Sequence, residues 1–89
     1  MIFQIKVKAR TYRVEAEKEG VCRFMVRRTD LSRQEAAPVR IGYLTGRAGH
    51  WVGDHAGLVT GITGATAEGV CEALLHSSLE SEHRPARRT

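Results

Sequence analysis

Basic side chains recur at every second position in parts of the first half of the chain. Lys6 and Lys8 alternate with apolar residues, and Arg23 and Arg27 lie in a similar stretch. Because successive side chains of a strand point to opposite faces, basic residues at this spacing share one face. Such a surface attracts phosphate groups and releases the counterions condensed around nucleic acid. The candidate nucleic-acid-binding residues are Lys6, Lys8, Arg13, Arg23, Arg27, Arg40 and Arg47.

The same face is also consistent with an ordinary solvated surface. Glu15 and Glu17 fall on the side of Arg13, so they can form cross-strand ion pairs with arginines. Exposed pairs add little stability, but they reduce the charge left for a ligand. Binding of an acidic protein is the third interpretation of such a face, beside nucleic-acid binding and a solvated surface. The functional prediction therefore depends on arginines without nearby carboxylates.

A second reactive group comprises His50, Asp54 and His55, which flank Trp51. Histidine and aspartate ligate metals, but a catalytic zinc site usually needs three converging ligands. At neighbouring strand and turn positions these side chains diverge, and solvent-facing histidines are expected instead. The sequence thus predicts no metal site.

Other catalytic chemistry lacks a motif. The serines lie outside any nucleophile elbow, and no glycine run ends in the lysine and Ser/Thr of a phosphate loop. Residues 60–66 (TGITGAT) offer free amides at a helix start, which can hold an anion, although turn formation also accounts for these glycines. Trp51 and Tyr43 could stack on bases, but a small domain needs its aromatic residues in a core or interface. We predict a non-enzymatic protein without a cofactor.

Periodicity predicts the elements that carry these residues. Residues 3–9 and 12–17 alternate in polarity, as two strands joined by a turn near 9–11 or as one long bulged strand. A turn at 17–20, ending in a left-handed glycine, leads to a strand over 21–28 with Phe24 and Val26 on one face and Arg23, Met25 and Arg27 on the other. Residues 29–38 form a loop, with a helical turn capped by Asp30 as an option.

The rest of the chain is organised around residues 40–63, which hold six of the nine glycines. Glycine supplies the left-handed backbone of tight turns, so this segment is predicted as short strands over 39–45, 50–53 and 58–62, with turns at 46–49 and 55–57. Gly42, Gly53 and Gly61 fall within strands. They indicate bulges, or places where Trp51 or Tyr43 crosses a neighbouring backbone.

From Gly64 the period becomes helical and predicts a helix over about 65–80, capped by Thr63 or Thr66 with Glu68 in its first turn. The expected fold is α+β: an antiparallel sheet of four to five strands with one C-terminal helix packed on one face. Residues 1–80 form a single domain and residues 81–89 a basic disordered tail. The predicted core comprises Phe3, Ile5, Val7, Tyr12, Val14, Phe24, Val26, Ile41, Val70, Cys71 and Leu74.

Composition limits the class of protein. With 89 residues, 42% hydrophobic and 27% charged, the chain suits one globular domain. It shows neither a signal-peptide pattern nor the roughly twenty apolar residues of a membrane span, so we expect a cytoplasmic protein. Because the cytoplasm is reducing, we expect Cys22 and Cys71 to be unpaired apolar core residues. Formal charge is segregated as +6 over residues 1–48, −5 over 49–83 and +3 over 84–89. Arg28 and Arg33 extend this basic excess.

These observations lead to two functional predictions. The first is a small binding module that contacts nucleic acid or another polyanion through a basic sheet face. The alternative is a structural or protein-interaction module that homodimerises through the uncovered sheet face or an edge strand. No membrane partner is expected.

Overall fold

A computed structural model of the chain describes residues 1–34, 36–55 and 61–83, with side chains as far as Glu80. Within those residues, six strands form one curled antiparallel sheet in which each strand pairs with its neighbours in sequence. The protein is therefore α+β with a C-terminal helix, as predicted, but the sheet has six strands instead of four to five. The elements are β1 (Ile2–Val7), β2 (Arg10–Gly20), β3 (Arg23–Asp30), β4 (Val39–Arg47), β5 (His50–His55), β6 (Ile62–Gly64) and α1 (Ala67–His83).

The two N-terminal hairpins turn at residues that are not glycine. Lys8 has a φ of 57° in the turn between β1 and β2, which confirms two strands over one long strand. The next turn consists of Val21 and Cys22, with Cys22 also at 57°, so the prediction of a turn at 17–20 was wrong. β2 continues through Gly20, and a register shift between Lys18 and Gly20 takes up the extra residue as a bulge.

The loop after β3 begins two residues later than the predicted start at residue 29, because β3 continues to Asp30. Asp30 then organises a turn: its carboxylate accepts a hydrogen bond from the Ser32 amide at 2.9 Å, and its carbonyl accepts one from Arg33 at 3.2 Å. The register shifts again between Val26 and Arg27, which leaves Ile41 of β4 without a directly opposite residue. This bulge brings Ile41 into the core.

Glycines inside the later strands allow backbones and the helix to approach closely. A side-chain carbon at Gly42 would collide with the Asp54 carbonyl oxygen of β5, and one at Gly53 would lie 2.6 Å from Val70 Cγ1 of α1. Close strand and helix packing, not a crossing aromatic ring, therefore requires these glycines. The predicted turn at 55–57 beyond His55, and residues 58–60 of the predicted strand, lie outside the described residues.

Helix α1 starts after Thr66, whose hydroxyl accepts a hydrogen bond from the Gly69 amide at 3.1 Å, so Thr66 is the cap. The helix continues to His83. It packs chiefly on β4, β5 and β6, and it meets β2 only lightly. Among the described residues, no helix has the length and apolar character needed to cross a membrane.

The core lies between the inner sheet face and α1. Eight of the predicted core residues are buried, whereas Phe3, Val7 and Phe24 are half-buried at its margin; Ala16, Leu44 and Leu75 are buried as well. Cys71 is fully buried, and its burial raises the pKa of its thiol to about 11. Cys22 lies half-buried in a turn, so its prediction as a core residue was wrong.

Candidate nucleic-acid interface

One face of the sheet, here called the outer face, points away from α1. Alternation along the paired strands assigns its residues, and the burial of their neighbours on the opposite side agrees with the assignment. Six of the seven predicted binding residues lie on strands, and alternation places all six on this face, together with acidic and apolar side chains. Its main members are Ile2, Gln4, Lys6, Arg13, Glu15, Glu17, Arg23, Met25, Arg27, Arg40, Tyr43, Val52 and Asp54.

At the centre of the outer face, two arginines lie against the ring of Tyr43, and a third arginine lies opposite one of them in the β3–β4 register. Arg23 places its guanidinium carbon 4.2 Å from the centroid of Tyr43, and that of Arg40 lies at 5.9 Å. Arg40 also donates a hydrogen bond to the Tyr43 hydroxyl at 3.3 Å. Met25 lies opposite Tyr43 and Arg27 opposite Arg40 in the β3–β4 register. These five residues are called the Tyr43 cluster.

The cation–π geometry explains how the Tyr43 cluster is held in place. A guanidinium within about 6 Å of an aromatic centroid is attracted by the electron-rich face of the ring. Both arginines meet that criterion, and Tyr43 itself is half-buried by its neighbours. The cluster therefore presents planar, polarisable groups and fixed positive charge together. The sequence indicated Arg23, Arg40 and Tyr43 separately, but not their contacts, because these depend on the β3–β4 register and its bulge at Ile41.

Two arginines of the outer face already have acidic partners. Arg27 Nη1 lies 2.7 Å from Glu17 Oε1, and Arg23 Nε lies 3.5 Å from Glu19 Oε1. The hydrogen bond to Glu17 is the main reason that the pKa of Arg27 is raised. The predicted cross-strand pairing of β2 carboxylates with arginines is confirmed for Arg27. The solvated-surface alternative thus accounts for part of the charge.

Other basic residues have no carboxylate partner within the described chain. Within the described chain, Lys6, Arg13, Arg40 and Arg47 form no ion pair with a carboxylate. Lys6 and Arg13 lie toward β1, whereas Arg47 ends β4 at the opposite end of the sheet. Lys8 lies in the exposed β1–β2 turn, not on a strand. The fold thus brings Arg23, Arg27 and Arg40 together and forms a second group from Lys6 and Arg13. Arg47 lies two residues beyond Thr45, the residue opposite Arg23, and Lys8 lies apart in its turn.

Arg28 does not belong to the exposed basic surface. It is 8% exposed on the inner side of β3, where its Nη1 donates a hydrogen bond to Ser78 Oγ of α1 at 2.8 Å. Its position follows from alternation, since Phe24, Val26 and Arg28 share one parity. That parity was the signal in the sequence that could have identified a buried arginine. The expectation that Arg28 extends the basic surface was therefore wrong.

The three residues considered for a metal do not converge. His50 and Asp54 are exposed, and Asp54 accepts a hydrogen bond from the Gly61 amide at 3.2 Å. His55 is 7% exposed, so the expectation of a solvent-facing histidine was wrong there. Its Nδ1 has no hydrogen-bond partner among the described residues; burial, and secondarily the charge of Arg28, lowers its pKa. Among the residues described, no group of three His, Cys, Asp or Glu could hold a metal.

A groove of about 700 Å³ separates the β1–β2 turn from the second half of α1. It opens there because the helix packs mainly on the other end of the sheet. Apolar groups of Val7, Tyr12 and Leu79 line it beside the polar residues Lys8, Arg10, His76, Ser77 and Glu80. His76 and Ser77 are consecutive on a helix and point in different directions. In the described chain, no serine hydroxyl is hydrogen-bonded to a histidine, so the groove lacks a nucleophile–base pair.

The start of α1 offers fewer free amides to an anion than the sequence indicated. Residues 61–66 precede α1 as expected, but the Thr66 hydroxyl already accepts from Gly69, one of the amides available there. The outer face therefore remains the candidate site. No protein-family model matches this chain, and neither a curated protein nor a solved structure shows significant similarity to it.

Proposed function

We propose that the protein is a binding module whose outer face contacts single-stranded nucleic acid. The observation that carries this proposal is the Tyr43 cluster, in which Arg23 and Arg40 flank an aromatic ring on the side of the sheet away from the helix. Unpaired bases stack on aromatic rings and on guanidinium planes, while neighbouring arginines bind the phosphates between them. The cluster combines both kinds of group.

Charge around the cluster supports a polyanionic ligand. Arg40 and Arg13 lack carboxylate partners within the described residues. The pairs of Arg27 with Glu17 and of Arg23 with Glu19 are exposed, and exposed ion pairs add little stability. A phosphate group can therefore replace either carboxylate at small cost.

The aromatic ring favours nucleic acid over other polyanions. A sulfated polysaccharide uses the positive charge of a surface but has no flat base to stack on Tyr43. Each stacked base contributes about 1–3 kcal/mol in single-strand binding proteins. The proposed ligand class is therefore the one that gains from every member of the Tyr43 cluster.

Fluorescence anisotropy with labelled single-stranded RNA and DNA, duplex DNA and heparin tests this proposal. We expect single strands to bind most tightly, with affinity falling steeply as salt rises because counterions are released. Tyr43→Leu should weaken single-strand binding by about 1–3 kcal/mol and leave heparin binding unchanged. Arg40→Gln should reduce the slope of log affinity against log salt by about 1.

Arg33→Gln is the matched control, because Arg33 is an exposed arginine of the loop after β3 and not of the outer face. It should alter neither affinity nor salt slope beyond the small effect of net charge. Undetectable binding to every nucleic acid at low salt would refute the proposal. Equal losses in Arg33→Gln and Arg40→Gln would show that net charge, and not this face, governs binding.

A further inference from the structure

The outer edge of β1 carries unpaired backbone groups. The Ala16 amide donates to the Met1 carbonyl at 2.8 Å, and the Met1 amino group donates to the Ala16 carbonyl at 2.9 Å. Hydrogen-bonded pairs recur every second residue in an antiparallel ladder, so odd-numbered residues of β1 bond to β2. The backbone N–H and C=O groups of Ile2, Gln4 and Lys6 consequently point away from the sheet. No hydrogen bond among the described residues uses them.

The side chains on this edge do little to block a new strand. Ile2 is 63% exposed and apolar, and β1 contains neither a proline nor a bulge. Lys6 is the one charged side chain along Ile2–Val7. The opposite edge of the described sheet is β6, which has three residues. Since short edge strands resist pairing and long flat ones invite it, β1 is the edge suited to accept another strand.

We propose that β1 pairs antiparallel with β1 of a second copy of this chain, about a twofold axis at Gln4. Because the free backbone groups belong to even-numbered residues, even residues must lie opposite even residues. Placing Gln4 opposite Gln4 of the second copy sets Ile2 opposite Lys6 and Lys6 opposite Ile2. Every free amide and carbonyl of the three residues on each strand then has a partner.

Other registers are less favourable. Setting Lys6 opposite Gln4 leaves Ile2 beyond the ladder, with its exposed apolar surface still in water. Setting Lys6 opposite Lys6 places like charges directly across from each other, which is destabilising. In the proposed register, the methylene groups of each Lys6 cover Ile2 of the other copy while the ammonium group stays solvated. Of these three registers, only the proposed one covers Ile2 without placing like charges opposite each other.

A strand pair of this length buries less area than a standard protein interface, so the dimer should dissociate on dilution. The axis runs perpendicular to the sheet, and both outer faces therefore point to the same side. Lys6 and Arg13 of each copy would then meet at the centre, between the two Tyr43 clusters. This last consequence for ligand binding rests on the proposed function, whereas the dimer itself does not.

Sedimentation equilibrium over a concentration series tests the pairing. We expect the mass to rise from 9.9 kDa toward twice that value with concentration. Gln4→Pro removes an outward amide that β2 does not use, so it should leave the circular dichroism spectrum unchanged and give a monomer throughout. Hydrogen exchange at Ile2, Gln4 and Lys6 should slow with concentration in the wild type only.

A charge exchange at the axis tests the register even where the proline variant does not fold. Gln4→Lys and Gln4→Glu should each be monomeric, because each places like charges opposite, and their mixture should restore a dimer. Gln34→Lys and Gln34→Glu are the matched controls at an exposed loop glutamine, and each alone should dimerise as the wild type does.

A wild-type mass of 9.9 kDa at every concentration would overturn the inference, as would a Gln4→Pro dimer or a mixture that stays monomeric. The anisotropy experiments on nucleic acid test the proposed function independently of the dimer. Loss of nucleic-acid binding with the dimer intact refutes the proposed function and leaves the strand pairing standing.

Discussion

Replacing Gly42 by alanine should destabilise the fold strongly. Gly42 has a φ of 156°, a value that side-chain-bearing residues rarely adopt. The added carbon would meet the backbone of β5: it collides with the Asp54 carbonyl oxygen and lies 3.1 Å from the carbonyl carbon and 3.2 Å from His55 Cα. Because the obstacle is backbone, no side chain can rotate to relieve the contact.

The size of the loss follows from two contributions. An unfavourable backbone conformation costs about 1–3 kcal/mol, and overpacking costs about 1–3 kcal/mol more. Chains of this size have total stabilities of about 4–13 kcal/mol, so a combined loss of about 2–6 kcal/mol in Gly42→Ala is a large share of the total. At about 4–8 °C per kcal/mol, the Tm should fall by at least 10 °C or so.

Urea unfolding followed by the fluorescence of Trp51, the single tryptophan, measures this change. Trp51 lies on β5 with its ring centroid 6.0 Å from that of Phe24, so it reports on the same part of the sheet. Gly20→Ala is the matched control, since a carbon there meets nothing within 4 Å. If Gly42→Ala unfolds within 1 kcal/mol or so of Gly20→Ala, the close approach of β4 and β5 does not constrain this position as argued.

Three further changes test the turn, the helix start and the buried histidine. Lys8→Gly relieves a φ of 57° and should stabilise the fold by about 0.5–1 kcal/mol in thermal melts, whereas Ala9→Gly in the same turn should not. Thr66→Ala should cost about 0.5–2 kcal/mol through the lost cap, with Thr63→Ala nearly neutral; equal losses would show that Thr66 does not act as the cap. The folded protein lowers the pKa of His55 below 6.5, so the stability contributed by the neutral imidazole is complete above pH 6.5 and is lost as pH falls toward the folded pKa. Below pH 6.5, the urea midpoint of His55→Gln should therefore depend less on pH than that of His50→Gln.

The elements that were predicted correctly depend on local periodicity. Alternation around Ile5 and Val14, and helical spacing from Val70 to Leu74, record which side of each segment is buried, and burial is a property of the segment itself. The β2–β3 turn was misplaced because Gly20 has the composition of a turn, whereas Cys22 adopts the left-handed backbone. Nothing in the residue type of Cys22 signals that conformation.

The candidate site was predictable only in part. Alternation correctly placed Arg23 and Arg27 on the outer face and indicated that a β2 carboxylate would pair with an arginine there, as Glu17 does with Arg27. The stacking of Arg23 and Arg40 on Tyr43 requires the register between β3 and β4, which a one-residue bulge shifts. Such a shift depends on packing across strands, and no local pattern records it.

The strictly sequential order of the strands also affects how the chain folds while it is being synthesised. Each hairpin can form as soon as its two strands have been synthesised, because no strand waits for a distant partner. Leu74 and Leu75, however, complete the core from the end of the described chain, and they face the inner side of strands made much earlier. The nascent sheet must therefore expose apolar surface until α1 has been synthesised, and α1 is the segment whose release from the ribosome ends that exposure.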